Sequence, residues 1–230
     1  MDAVYFLKYR TRFIRYYSDA SQMPFVDLRS AIDNQLPPFD NPPYSEDGEP
    51  VFLNDWMDAQ AAMKVLGLSC VSLLSESLKL YLHALRHRVI GYAFPDPRKA
   101  FKSGFLAGHL EALAHILQTD WSDCGVDLGV IEQVVLARNR GQHGEDFGSF
   151  NVTHDDEMLR KHPSPFFAND DERRIWSADG ESPSSFLAPT IDVTREKLFA
   201  AMEEIEKLAD YIEGRLDRVT QWRLGQRQPQ

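Results

Sequence analysis

Along most of this chain apolar residues return every third or fourth position, the period of one face of an α-helix. Val4, Leu7, Phe13, Ile14 and Tyr17 form the first such stripe, with Lys8, Arg10, Arg12 and Arg15 between them. The spacing predicts a helix over 3–17 and a shorter one over 27–34. Pro37, Pro38, Pro42, Pro43, Gly48 and Pro50 then block helix and strand alike, so 36–50 reads as a loop. Next, Asn54 stands as a helix cap with Asp55 and Asp58 in the first turn. Apolar positions recur from Met63 through Leu66, Val71, Leu74, Leu78 and Leu82 to Leu85, which predicts one long helix ending by Gly91. At a rise of 1.5 Å per residue it would exceed about 50 Å unless it bends, and Gly67 is the place for that.

Asp96 before Pro97 marks another start, because proline is tolerated in the first turn where no N–H is needed. That helix is expected to reach Gln118, and the next runs from Asp127 through Val130, Ile131, Val134 and Val135 towards Arg138. From Gly144 to Pro189 the period dissolves into Gly, Pro, Ser, Asp and Asn. Phe147, Phe150, Phe166, Phe167, Trp176 and Phe186 argue against a disordered linker, so 144–189 reads as a loop-rich insertion, with a short β-hairpin over 166–177. Thr194 opens the last amphipathic helix, carried by Leu198, Met202, Ile205, Leu208, Ile212 and Leu216, and a polar tail over 220–230 is expected to fray. The whole reads as one all-α domain over 1–230, a helical bundle with an insertion before the C-terminal helix.

Composition narrows the function. Of 230 residues, 25 are Lys or Arg and 35 are Asp or Glu, a net charge of −10. That balance excludes a general nucleic-acid coat protein and requires any polyanion to meet a local basic patch. Eight acids fall within 151–185, whereas 136–144 holds Arg138 and Arg140 and no acid. The apolar run over 65–85 is interrupted by Ser, Glu, Lys and His, so no membrane span is expected. The N-terminus lacks the form of a signal peptide. With two cysteines, Cys70 and Cys124, a disulfide framework is not expected. A cytoplasmic location with reduced thiols follows.

The helix over 127–138 runs into Arg138-Asn139-Arg140-Gly141-Gln142-His143-Gly144. Asn139 and His143 are four apart and share a face if the helix continues. The trio suits phosphodiester cleavage in RNA: a histidine accepts the 2′-hydroxyl proton, an arginine holds the phosphate oxygens, and an amide orients either. The nucleophile is already in the substrate, so the chemistry calls for neither metal nor cofactor. An Arg and a His at one fixed spacing are expected by chance roughly 0.5 times in a chain of this composition; requiring Asn directly after the Arg lowers this to roughly 0.01.

On these residues the chain resembles the HEPN domains, helical proteins of toxin–antitoxin, anti-phage and CRISPR-associated systems. Their hallmark is Arg, a polar residue that is often Asn, and then His after a short gap, matched by Arg138, Asn139 and His143. The resemblance spans 55–218 and implies an all-α HEPN-like bundle, a homodimer with both motifs at its interface, and metal-independent endoribonuclease activity. It implies RNA as substrate and an antitoxin or defence-system protein as partner. A polar residue from an earlier helix often joins the site, a place open to Glu76 or Ser75. Arg140, Arg86 and Arg88 read either as further RNA phosphate contacts or as solvated cations flanking helix ends. One branch, silenced by a nucleotidyltransferase, carries Tyr two residues after the His; Glu145 stands there instead, which argues against that partner.

The alternative is a non-catalytic HEPN-like module that dimerises and binds a protein or nucleotide. Other clusters have plainer readings. Glu76, His83 and His87, with Glu111 and His115, lack the Glu-to-His spacing of three used by di-metal bundles and read as core or interface residues. His154 with Asp155, Asp156 and Glu157 reads as a solvated acidic loop. The basic-aromatic stretch from Lys8 to Tyr17 either stacks on bases or forms an amphipathic helix with snorkelling cations.

Overall fold

A computed structural model describes residues 2–46, 48–142, 150–178 and 188–225. Among these the protein is all-α, 69% helical, with no strand. The helices are α1 (Ala3–Asp33), α2 (Leu53–Ala84), α3 (Pro97–Ala100), α4 (Phe105–Leu117), α5 (Leu128–Gln142), α6 (Asp156–Lys161), α7 (Asp170–Ala178), α8 (Arg195–Glu213) and α9 (Arg218–Gly225). A π-helical turn, Leu85–Val89, continues α2. The chain divides into two compact units, one of Met1–Arg12, Leu74–Glu132 and Ala200–Gln230, the other of Phe13–Leu73 and Gln133–Phe199.

In the first unit Leu7, Leu78, Leu82, Leu85, Leu113, Leu117, Ile205 and Leu208 are buried. Lys8 pairs with Asp210 at 2.6 Å, and the Tyr81 hydroxyl donates to the Ala209 carbonyl. A helix starts at Asp96-Pro97 as the sequence predicts, and Asp96 also caps it, accepting from the Arg98 and Lys99 amides. The expected single helix to Gln118 is broken, however: Gly104, at a φ of 109° open to glycine, separates α3 from α4. Arg218 closes α4 by donating to the Leu117 and Gln118 carbonyls, each at 2.8 Å. Arg223 does the same for the π turn, donating to the Val89 and Ile90 carbonyls at 3.0 and 2.6 Å. Thus the tail expected to fray over 220–230 is helical to Gly225, with Arg223 bonded to carbonyls that a helix end leaves over, and 226–230 lie outside the described residues.

In the second unit Ile14, Cys70, Val71, Val134, Phe167, Ala168 and Leu198 are buried. The two helices expected over 3–17 and 27–34 are one, with Pro24 inside it. Met23 and Pro24 are exposed, so water can take up the carbonyl that proline leaves unpaired. Beyond the proline α1 is tied to α2: Arg29 bonds Gln60 and lies over the Trp56 ring at 4.3 Å, and Trp56 Nε1 donates to Asp33 at 2.9 Å. Gly67 serves close packing, since a Cβ there would stand 2.8 Å from the Val193 carbonyl. Asn54 falls inside the first turn of α2, which begins at Leu53.

The insertion carries two helices where a hairpin was expected. Asp155 caps α6, accepting from Met158 N at 2.7 Å, and Asn169 accepts from the Asp171 and Glu172 amides at the start of α7. With Asp170, Asp171 and Glu172 in its first turn, 170–178 favours a helix over a second strand. Among the described residues extended pairing is confined to two isolated antiparallel bridges, Thr153 to Thr190 and Ala168 to Ile191. Leu53–Val89 is long and apolar enough to cross a membrane by length and composition, where no span was expected: an 18-residue window in it has a mean hydropathy of 1.4, and 56% of that window is buried within the protein, as in a core helix.

Candidate functional site

The motif lies at the C-terminal end of α5. The helix starts after Asp127, as the sequence predicts, and Asp127 caps it by accepting from Val130 N at 3.0 Å. Val130, Ile131, Val134 and Ala137 are buried at intervals of one, three and three, which fixes the roll of the helix about its axis. That roll leaves Asn139 exposed and Arg138 half-buried in the last turn. Arg138 Nη1 donates to Asn139 Oδ1 at 3.1 Å, so guanidinium and amide form one unit. Cations at this end also meet the unpaired carbonyls and the negative end of the helix dipole. His143 is the residue after Gln142 and lies outside the described residues, as do Glu145 and 144–149.

Arg140 has a different surrounding. Its Nε donates to the Thr153 carbonyl at 3.1 Å, and Asp155 lies 3.9 Å away. It therefore fastens the start of the insertion to α5, a use that its place in the motif does not reveal. Gly141 packs on Leu68, where an added Cβ would sit 3.4 Å from Cδ2. Gln133, one face further back, accepts from Phe166 N at 2.6 Å. The insertion is thus held to α5 at two levels, just before the motif and within it.

Glu76 and Ser75 belong to the other unit. Glu76 is half-buried on α2 and paired with Lys79 at 3.8 Å, and Ser75 is buried.

The remaining histidines separate by burial. His154, expected in a solvated acidic loop, is 3% exposed, and its Nε2 meets the Phe167 carbonyl at 2.9 Å. Burial lowers its pKa, opposed by that hydrogen bond and by Asp155. It is a staple of the insertion. His83 and His87 are exposed on α2 and the π turn, their ring centroids 5.8 Å apart. Burial beside its neighbours and the charges of His87, Lys79 and Arg86 lower the pKa of His83. Among the described residues no group of three or more His, Cys, Asp or Glu is placed to hold a metal ion.

No family model, curated protein or solved structure matches this chain. The chemistry of the α5 end therefore stands on its own residues.

Sequence reasoning missed His109. It is fully buried on α4, with the rings of Phe94, Phe101 and Phe105 at 5.3, 5.4 and 4.6 Å. Its Nδ1 meets the Tyr92 hydroxyl at 2.6 Å, while Nε2 has no hydrogen-bond partner. Burial first, and then the charges of His83, Arg86 and His87, push its pKa down to about 4. The aromatic residues at 92, 94, 101 and 105 were the available signal. Cys70 is fully buried with its thiol pushed up to about 11 by burial, which makes it an inert core residue.

Proposed function

We propose that this protein is a metal-independent endoribonuclease of the HEPN type, acting in a toxin–antitoxin or anti-phage setting. The observation that carries the reading is the joined Arg138 and Asn139 on the solvent-reached last turn of α5, directly before His143. In the reaction, His143 takes the 2′-hydroxyl proton and the 2′-oxygen attacks the adjacent phosphorus. The bond from phosphorus to the 5′-oxygen breaks, and that oxygen takes a proton as His143 gives up, directly or through water, the one it accepted. The products are a 2′,3′-cyclic phosphate and a 5′-hydroxyl, with no co-reactant consumed. Arg138 holds the non-bridging oxygens as charge builds on them, and Asn139 orients the guanidinium or the imidazole. A homodimer doubles this small basic site, which suits a chain with an overall acidic balance.

The test is RNA cleavage by the purified protein, with product ends assigned chemically. Wild type is expected to leave 2′,3′-cyclic phosphates, and His143→Ala and Arg138→Ala to remain folded and inactive. Cleavage by His143→Ala at the wild-type rate would overturn the assignment. Intact RNA under every activator tried would instead favour the non-catalytic module.

A further inference from the structure

A groove of about 680 Å³ lies in the first unit, between the N-terminal turns of α1 and the end of α2. That volume is typical of pockets for small organic ligands. Phe6, Tyr9 and Arg10 line one side at helical spacings of three and one; Ser77, Leu80, Ala84 and His87 line the other at spacings of three and four. Leu7 and Tyr81, both buried, form the floor, and the rings of Phe6 and Tyr9 stand at the rim, each about half exposed. The lining contains Arg10, His83, His87 and Arg88 but no acid, in a protein with ten more acids than bases. Glu76, whose field reaches His83, is paired with Lys79.

Two features show how these cations are set. Arg10 Nε donates to Ser77 Oγ at 2.9 Å, which holds its guanidinium at the wall. His87 and Arg88 lie in the π turn, where Ile90 N reaches back five residues to the Leu85 carbonyl at 2.8 Å. The wider turn shifts both side chains from the positions an α-helix would give them, and such turns recur at binding sites. An apolar floor with aromatic rims and an acid-free cationic wall matches a ligand with a flat ring at one end and a multi-oxygen anion at the other. Guanidinium groups favour phosphate, whose oxygens accept several donors at once.

We propose that this groove binds an aromatic phosphate with the chemistry of one nucleotide, its phosphate against Arg10, His87 and Arg88 and its ring against Phe6 and Tyr9. The inference does not rest on the ribonuclease reading. The ligand is either a free mononucleotide or one unit of single-stranded RNA.

Calorimetric titration of the full chain with adenosine monophosphate, inorganic phosphate and a 2′-O-methylated six-nucleotide RNA tests this, since the methylated strand offers no 2′-hydroxyl for cleavage. His87→Gln and Arg88→Gln, at exposed positions where folding is least at risk, are expected to weaken nucleotide binding about tenfold each. Tyr9→Ala is expected to weaken the nucleotide about fivefold and leave inorganic phosphate unchanged, because only the nucleotide has a ring to stack. A strand bound more than about tenfold tighter than the mononucleotide, and lost in the same variants, identifies RNA as the source. Equal affinities identify the free nucleotide. Absence of binding by both ligands, or binding that survives the double variant of His87 and Arg88, overturns the proposal; so does a Tyr9→Ala variant that binds the nucleotide as wild type does.

Discussion

Helices α2 and α5 both finish in closely spaced arginines, and their surroundings put similar charges to different uses. At the α5 end Arg138 is joined to its neighbour Asn139, and Arg140 reaches a backbone carbonyl of the insertion. At the α2 end Arg86 lies over the Phe94 ring at 4.7 Å with its buried Nε unpartnered, while His87 and Arg88 line a groove. Composition near a helix C-terminus is explained by the dipole in both cases. What differs is the neighbour: an amide and a backbone carbonyl for Arg138 and Arg140, an aromatic ring for Arg86. A basic helix end therefore says little about a ligand until the packing around each cation is known.

Substitution at the end of α5 has the greatest effect. Removing His143 or Arg138 as alanine variants is expected to cut RNA cleavage by about a thousandfold, with the far-ultraviolet spectrum unchanged. Equal losses from His87→Ala would move the chemistry to the α2 end and reverse the assignment.

The next effect concerns the aromatic wall behind α2. Its histidine, His109, has a folded-state pKa near 4, below the ordinary value of 6.5, so the unfolded chain binds the extra proton first. Stability is accordingly full above about pH 6.5 and falls as pH drops from there towards 4, by about 3 kcal/mol for a shift of this size. His154 adds to the loss in the same direction. Urea unfolding between pH 7 and 4 measures the slope, and His109→Gln, which keeps a partner for Tyr92, is expected to flatten it.

Gly108→Ala probes the same wall sterically. A Cβ there would lie 2.3 Å from the Ala100 carbonyl and 2.8 Å from the Phe101 ring, and overpacking of this kind costs about 2 kcal/mol. A wild-type denaturation midpoint would show that α3 yields freely. The smallest effect is at Arg140. Arg140→Met removes a charged donor from the Thr153 carbonyl, at a cost of about 1 kcal/mol. Amide exchange at His154 and Ile191, whose N–H groups bond within the insertion, is expected to quicken while the rest of α5 stays protected.

The long helices were legible because one face of each is buried, and the starts at Asp96 and near Asp127 because proline or the apolar period marks them; the capping itself was not, since the cap assigned to Asn54 falls inside α2 while Asp96 and Asp127 carry caps. Helices α6 and α7 were not: each is short, begins at an Asp or Asn followed by acids, and reads as loop when composition is weighed alone. The continuity of α1 through Pro24 and the π turn after Ala84 depend on exposure and on packing distant in sequence. In the candidate site the place of Arg138 and Asn139 at a helix end was legible. The use of Arg140 was not, because its partner is a carbonyl thirteen residues away with no side-chain signature.

Arg223 sets an order of assembly. Its guanidinium completes a turn whose carbonyls were made 134 residues earlier, at Val89. During synthesis from the ribosome, α1 and α2 emerge long before that donor exists, so these two bonds to the end of the π turn form only when α9 is out. A nascent chain stalled before Arg223 carries the groove's lining residues without the clasp that sets the turn.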